Sequence, residues 1–364
     1  MYNKDMNSKI IKKLLAYAKQ HEIFDLAITK KNGQHVLLAT DGLTSHELKI
    51  PKSLETDLSA DFRSLLSLAP ADLVSQAYLK TADSTFNLSI IPEGSSEKII
   101  INIQPKSLKL LTLSHLGLGR DEKHKLQSFL LRRRGLIIVG ASDNQGKTTT
   151  LYSLLQKINK DKRSCYSLEE YPELKLEEVN KIISHKEKRL SDLAQILKSD
   201  SEVIMIDDAN DKLLQEAVTA AKTGRLILVG IKSNDASEIV DKVKDLTRND
   251  DLETLVIFQK LIKKNCPHCL KAYVVGETEE LIEKYWPSEK KYQPKYFFTS
   301  QGCSKCKHSG TKGEIAVFNL IRLNNQNIDI ISSLASDVLQ KAANGLISVS
   351  KFIEKHRSTS IKKL

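Results

Sequence analysis

The sequence predicts an α/β protein: a parallel sheet covered by helices on both faces, with a small α+β domain before it and a tetracysteine subdomain after it. Three observations carry this. Short apolar strands alternate with amphipathic helices between about 121 and 231. A turn bearing glycine and lysine joins one of those strands to a helix. Two Cys-x-x-Cys pairs lie beyond the alternating region.

Within the first 105 residues, Ser8 to His21 has the periodicity of an amphipathic helix. Val36–Thr40, Phe86–Ile91 and Lys98–Ile103 read as strands, with Pro92 and Gly94 turning the last two into a hairpin. No catalytic pattern is found here. Residues 106–119, with Gly117 and Gly119, read as a linker. A helix over Asp121 to Leu131 follows. Then come a strand at Leu136–Val139, a helix from Lys147, a strand at Cys165–Leu168, a helix near Leu190–Lys198, a strand at Val203–Ile206, a helix near Lys212–Lys222 and a strand at Leu226–Ile231. Continuous apolar strands of this kind are those of a sheet buried on both faces. The core is bounded at 120–262, the cysteine subdomain at 263–312, and 313–364 is read as helical and amphipathic, chiefly over Ile328 to His356.

The 364 residues are 40% apolar and 28% charged, with a net charge of +11. That excess favours an acidic partner such as nucleotide, nucleic acid, anionic lipid or an acidic protein face. Only 5% of residues are aromatic. No aromatic stripe interleaves with the cations, so a basic nucleic-acid-binding protein is the weakest reading. No apolar run approaches the roughly 20 residues a membrane-spanning helix needs. No signal-peptide pattern opens the chain, so a cytoplasmic location is expected.

The strongest motif follows the strand Gly135-Leu136-Ile137-Ile138-Val139. It reads Gly140-Ala141-Ser142-Asp143-Asn144-Gln145-Gly146-Lys147-Thr148, and a helical stretch starts at Thr149. The template is G-x-x-x-x-G-K-[ST] between strand and helix, with Ala141 at the first glycine position. Main-chain N–H groups of such a loop converge on phosphate oxygens at a helix N-terminus. Gly146 permits close approach, Lys147 supplies a cation, and the Thr148 hydroxyl ligates Mg²⁺. Asp143 is electrostatically awkward beside phosphates and is expected to point away from them. A second strand, Val203–Ile206, ends in Asp207 and Asp208. Asp207 is expected to reach the Mg²⁺ shell, and Asp208 to polarise the attacking water.

Cys266-Pro267-His268-Cys269 and Cys303-Ser304-Lys305-Cys306 present four thiols for tetrahedral Zn²⁺, and Lys263, Lys264, Lys305 and Lys307 offset the thiolate charge. Four protein ligands leave no open position, so the zinc is structural. His268 and His308 are read as outside the ligand set, and Cys165 as a buried strand residue.

These features together resemble the hexameric ATPases of type II secretion, type IV pilus assembly and competence-pilus assembly. The resemblance rests on Gly146-Lys147-Thr148-Thr149-Thr150-Leu151-Tyr152, Asp200-Ser201-Glu202-Val203-Ile204-Met205, Ala220-Ala221-Lys222-Thr223-Gly224-Arg225-Leu226, Ser233-Asn234-Asp235-Ala236, both cysteine pairs and Gly310-Thr311-Lys312-Gly313. It implies a RecA-like core, a PAS-like N-terminal domain, a zinc subdomain and a ring, either homo-hexameric or shared with a paralogous motor ATPase. It also implies ATP and Mg²⁺, an inner-membrane platform protein as partner, and a short form without the docking domain many members carry. Glu169 and Glu170, with Glu173 further on, match an acidic catalytic segment.

The departures from the family pattern weaken catalysis more than binding. The family's catalytic glutamate is Asp208 here, the glycine before it is Asp207, and the Glu-x-Arg-Asp run is Asp208-Ala209-Asn210-Asp211. Lys232 replaces a histidine, Glu170 an aspartate, and Asn87 and Asn102 two arginines aimed at a neighbour's nucleotide. Shortening Glu to Asp moves the carboxylate by roughly 1 Å, which can slow a reaction about 100-fold. Losing a transition-state arginine can slow it on the order of 10³- to 10⁵-fold. Main-chain loop contacts, Lys147 and Thr148 remain, so nucleotide binding is expected to outlast hydrolysis.

Overall fold

In a computed structural model the described residues are Tyr17, six strands between 25 and 105, and 112–349 apart from 160–161, 175, 248–250, 275–295 and 325–326. The chain divides into Met1–Lys109 and Leu110–Leu364.

The first unit holds a six-stranded antiparallel sheet in the order β3-β2-β1-β6-β5-β4. Its strands are β1 (Asp25–Lys31), β2 (Gln34–Thr40), β3 (Ser45–Lys49), β4 (Ser75–Lys80), β5 (Ser84–Glu93) and β6 (Ser96–Pro105). The expected hairpin is present as the β5–β6 pair, with Asn87 opposite Asn102 in its register. Leu26, Ile28, Ile90, Ile99 and Ile101 are buried. They alternate along their strands, as one covered sheet face requires. The helix expected over Ser8–His21 lies outside the described residues apart from Tyr17, as does the turn at Gly94.

The second unit is built on an eight-stranded sheet in the order β16-β15-β12-β7-β11-β10-β8-β9. In chain order its elements are α1 (Arg120–Leu130), β7 (Gly135–Ala141), α2 (Lys147–Asn159), β8 (Cys165–Glu169), β9 (Val179–Ile183), α3 (Arg189–Ile196), β10 (Val203–Ile206), α4 (Asp211–Lys222), β11 (Leu226–Lys232), α5 (Ala236–Leu246) and β12 (Thr254–Asn265). Then come β13 (Leu270–Val274), β14 (Tyr296–Ser300), β15 (Thr311–Asn324), β16 (Asn327–Ser332) and α6 (Leu334–Ala343). From β12 to β9 all neighbours run parallel.

Both faces of the central strands are covered, which is why β7 and β10 are buried along their whole length. One core joins Leu136, Ile204 and Ile227 to α3, α4, α5 and α6. The other joins Ile137, Met205, Leu228 and Cys165 to α1 and α2. Helix starts are chemically marked: the Asn210 side chain accepts from Leu213 N at 2.9 Å, and the Asp235 side chain accepts from Ser237 N at 2.9 Å.

The expectation of a helical region from 313 is corrected. Thr311–Asn324 is a long strand paired antiparallel with β12, and Asn327–Ser332 is the edge strand beside it. Helix begins only at Leu334, where Ser333 and Ser336 form a reciprocal cap. The apolar spacing of Ile328, Ile330 and Ile331 fits either period, and an edge strand leaves Ile328 and Ile330 exposed. The sequence reading also passed over β9, α5 and β12. β12 runs unbroken through the boundary set at 262, because it pairs with β7 at one end and with β15 along its length.

Candidate functional site

The phosphate-loop motif sits at the C-terminal end of β7, where the chain turns into α2. Gly140 and Ala141 belong to the strand itself. A Cβ on Gly140 would lie 2.1 Å from Ile239 Cδ1, so this glycine lets α5 pack against the sheet. The open turn is Ser142 to Gly146. Asn144 has φ +58° and Gly146 φ +79°. Asparagine is among the few non-glycine residues that accept the left-handed region readily, so position 144 needs no glycine, and Ala141, at the template's first glycine position, lies in the strand without a positive φ.

β12 clamps the turn. Gln259 Nε2 donates to the Gln145 carbonyl at 2.6 Å, its Oε1 accepts from Thr150 at 2.7 Å, and Leu261 N donates to Gln145 Oε1 at 2.8 Å. Sequence reasoning missed Gln259. Its signal was an uncharged polar residue directly after the apolar run Leu255-Val256-Ile257-Phe258. Ser142 Oγ donates to Asn234 Oδ1 at 2.7 Å. Asp143 is exposed and ion-paired with Lys232 from the end of β11. Thus the loop's carboxylate and the lysine that stands in for a histidine answer one another.

Lys147, 17% exposed, is paired with Asp208, 56% exposed. Strand β10 therefore presents a carboxylate to the loop lysine. Asp207 is engaged differently. Its carboxylate meets Arg189 and accepts from the Glu170 amide at 2.8 Å. Glu170 itself accepts from the Tyr171 hydroxyl at 2.9 Å. Glu169 is 1% exposed. Its Oε2 accepts from the Tyr152 hydroxyl, and its Oε1 has no hydrogen-bond partner and lies 3.9 Å from Lys181 Nζ. The Thr148 hydroxyl lies beside the Glu173 carboxyl and opposes its rise, and Thr149 gives its carbonyl to Ser153.

Among the described residues no three carboxylates or histidines converge here, but the Thr148 hydroxyl on the loop and the half-exposed Asp208 carboxylate beside it are oxygen donors, the kind a hard cation such as Mg²⁺ takes. Burial pushes Glu169 above the usual carboxylate range, and burial reinforced by the Glu169 charge lifts Glu173 to about 7. The folded chain thus holds the Glu173 proton more tightly than the unfolded chain does. Glu173 favours folding below its unfolded value of 4.5, and that contribution disappears as pH rises through about 7. Without nucleotide or metal, stability is expected to fall between pH 5 and 8. Asp337 and Glu169, also raised by burial, act in the same direction. The readout is therefore the difference between wild type and Glu173→Gln, on the order of 2–3 kcal/mol across the window by thermal melts. Parallel curves would refute it.

The four cysteines converge. Their sulfurs lie within 4.8 Å of one another, and three of the separations are 4.0, 3.9 and 3.8 Å. Tetrahedral zinc with Zn–S near 2.3 Å requires sulfur–sulfur edges of about 3.8 Å, so the donors fit the ion. The amides of Cys303 and Gly310 donate to Cys306 Sγ at 3.1 and 3.3 Å, as a thiolate needs. Gly302, φ +100°, has no alternative, since a Cβ there would meet the His308 carbonyl oxygen at 2.5 Å. The cluster is tied to the C-terminal segment. Asn265 Nδ2 donates to the carbonyls of Phe298 and Gly345 at 3.2 Å, and its amide to Leu346 O at 2.8 Å. Cys165 is buried in β8, apart from this group.

Known proteins resemble the chain in sequence and in fold. It is 26% identical over 258 residues to the type II secretion system ATPase E of Vibrio cholerae, covering 69% of this chain and 50% of that protein. It is 27% identical over 302 residues to the type IV pilus assembly ATPase PilB of Pseudomonas aeruginosa, covering 79% and 53%. The chain thus spans about half the length of these curated relatives. Among solved structures, the pilus retraction motor PilT with bound ADP superposes with a TM-score of 0.56 at 16% identity, covering 97% of this chain and 98% of that one. The ATPase DotB of Yersinia pseudotuberculosis gives 0.57 at 13%, covering 98% and 96%. These likenesses concern the fold alone, an α/β arrangement around a parallel-rich sheet. The sequence model described as "Type II/IV secretion system protein" matches residues 68–361, and the chain belongs to that family.

Proposed function

We propose that this protein is the ATP-binding component of a motor that assembles type IV or competence pili or drives type II secretion, and that it hydrolyses ATP slowly. The observation that supports this best is the clamped turn from Ala141 to Thr148. β12 holds this turn at the start of α2, and Lys147 there faces the carboxylate of Asp208. Lys147 would leave Asp208 for the phosphates, a stronger multivalent partner. Asp208 would then be free to orient water. Glu169, held by Tyr152, and Glu173, beside Thr148, keep the acidic side of the site in place. Thr148 would be a residue to hold a bound Mg²⁺, which would supply positive charge against that of the phosphates.

The antiparallel sheet of the first unit is read as the PAS-like domain, and the tetracysteine cluster as a structural zinc subdomain. A hexameric ring at the inner face of the cytoplasmic membrane, working with a platform protein, is the setting we infer. Among the described residues no helix is long and apolar enough to cross a membrane.

A hydrolysis-deficient paralogue that joins or regulates an active ring is the second reading. The shortened carboxylate at Asp208, the asparagines at 87 and 102, and the Asp143–Lys232 pair all favour it. ATP turnover by the purified protein, alone and mixed with a full-strength paralogue, separates the two. We expect turnover alone well below about 1 s⁻¹, the low end of ordinary enzymes. Motor-like turnover that vanishes in Lys147→Ala would refute slow hydrolysis. Stimulation in the mixture with none alone would favour the paralogue reading.

A further inference from the structure

Arg189 opens α3 with a side chain only 8% exposed. A buried cation persists when its charge is answered at contact distance. Its guanidinium meets Asp207 Oδ1 and donates to the Leu168 carbonyl at 3.2 Å. Asp207 is 17% exposed and well supplied with donors. Oδ1 also accepts from the Asp208 amide at 2.6 Å, and Oδ2 accepts from the Glu170 amide at 2.8 Å. A carboxylate offers roughly four acceptor positions, so little capacity remains for a metal.

The same contacts shape the turn after β10. The Asp208 amide bonds to Asp207 Oδ1 where the strand ends. Ala209 N donates to Gly230 O at 2.8 Å, which lays the turn against β11. Gly230 makes this possible, since a Cβ there would lie 2.0 Å from the Asp207 carbonyl oxygen. From this turn Asp208 reaches Lys147.

We propose that Arg189 and Asp207 are a positioning pair. Arg189 withholds the Asp207 carboxylate from Mg²⁺, and the turn they fix presents Asp208 as the carboxylate at the end of β10 that serves the metal and the attacking water. This assignment rests on the nucleotide reading above. It replaces the expectation that Asp207 itself enters the magnesium shell. It also explains how an aspartate is accommodated where the family resemblance places glycine: a buried carboxylate needs a cation beside it, and α3 supplies one.

The test measures the Mg²⁺ concentration that gives half-maximal binding of a fluorescent ATP analogue to the full chain. The expected result is a rise of about tenfold for Asp208→Asn and less than twofold for Asp207→Asn. Arg189→Met, which leaves Asp207 charged and unpaired, is expected to weaken analogue binding about tenfold. Adding Asp207→Gly should recover only part of the loss, since it removes the unpaired charge but not the need for a fixed turn. A shift for Asp207→Asn equal to or larger than that for Asp208→Asn overturns the assignment. So does a folded Arg189→Met protein with unchanged affinity and Mg²⁺ dependence. If Arg189→Met does not fold, the two asparagine variants decide the matter alone. A wild-type chain that binds no analogue fails the nucleotide reading and this assignment with it. A wild type that binds while Asp207 governs the metal fails this assignment only.

Discussion

Lys147→Ala is expected to abolish measurable ATP association, weakening it at least about 100-fold, or roughly 2.7 kcal/mol. Two effects act together. The ammonium group that would meet the phosphates is lost. Asp208, which Lys147 now neutralises, is left as an uncompensated negative charge facing the same turn. Repulsion between that carboxylate and a triphosphate adds to the lost attraction. The turn itself should persist, because Gln259, Leu261 and Asn234 hold it through Gln145 and Ser142 rather than through Lys147. The melting temperature without nucleotide should therefore barely move. Calorimetry at saturating Mg²⁺ measures the effect, and a change of less than threefold would sink the phosphate-loop assignment. Asp208→Asn in the Lys147→Ala background should recover part of the loss, since it removes the repulsive half.

Removing the metal from the cysteine cluster should have the largest effect on stability. One tightly held zinc per chain is expected by elemental analysis. Cys306→Ser should lower stability by more than about 4 kcal/mol, the range reserved for loss of a metal or a buried network. Cys306 is buried and its sulfur accepts two main-chain amides, so serine neither ligates zinc well nor fills the site. The damage should spread along a defined route. Asn265 couples the first cysteine pair to Phe298, Gly345 and Leu346, so β13, β14 and the end of α6 should loosen together. Hydrogen exchange should rise there, while β7 and β10, buried throughout, and β11, buried up to Ile231, stay protected. A Cys306→Ser protein with full zinc content and unaltered melting would leave the cluster as four reduced thiols without a structural ion.

Local pattern alone makes the phosphate turn, the strand ending in two aspartates, the cysteine quartet and the alternating strands and helices that carry them legible. Each is local: a strand buried on both faces must be apolar along its length, and a turn must supply residues for its unusual dihedrals. That is why Val203–Ile206 appears in the structure with the bounds read from sequence, and β7, β8, β11 and α4 to within a few residues. Tertiary structure decided what the charges do. Nothing in the spacing of Arg189 pairs it with Asp207, because β8, β9 and the start of α3 must first fold beside β10. Lys232 meets Asp143 only once β11 lies next to β7. The helix expected after 313 became β15 because its partner positions in β12 lie 46 to 69 residues away, from Asn265 opposite Thr311 to Thr254 opposite Leu323, and a long-range ladder outweighs a local periodicity that fits both forms.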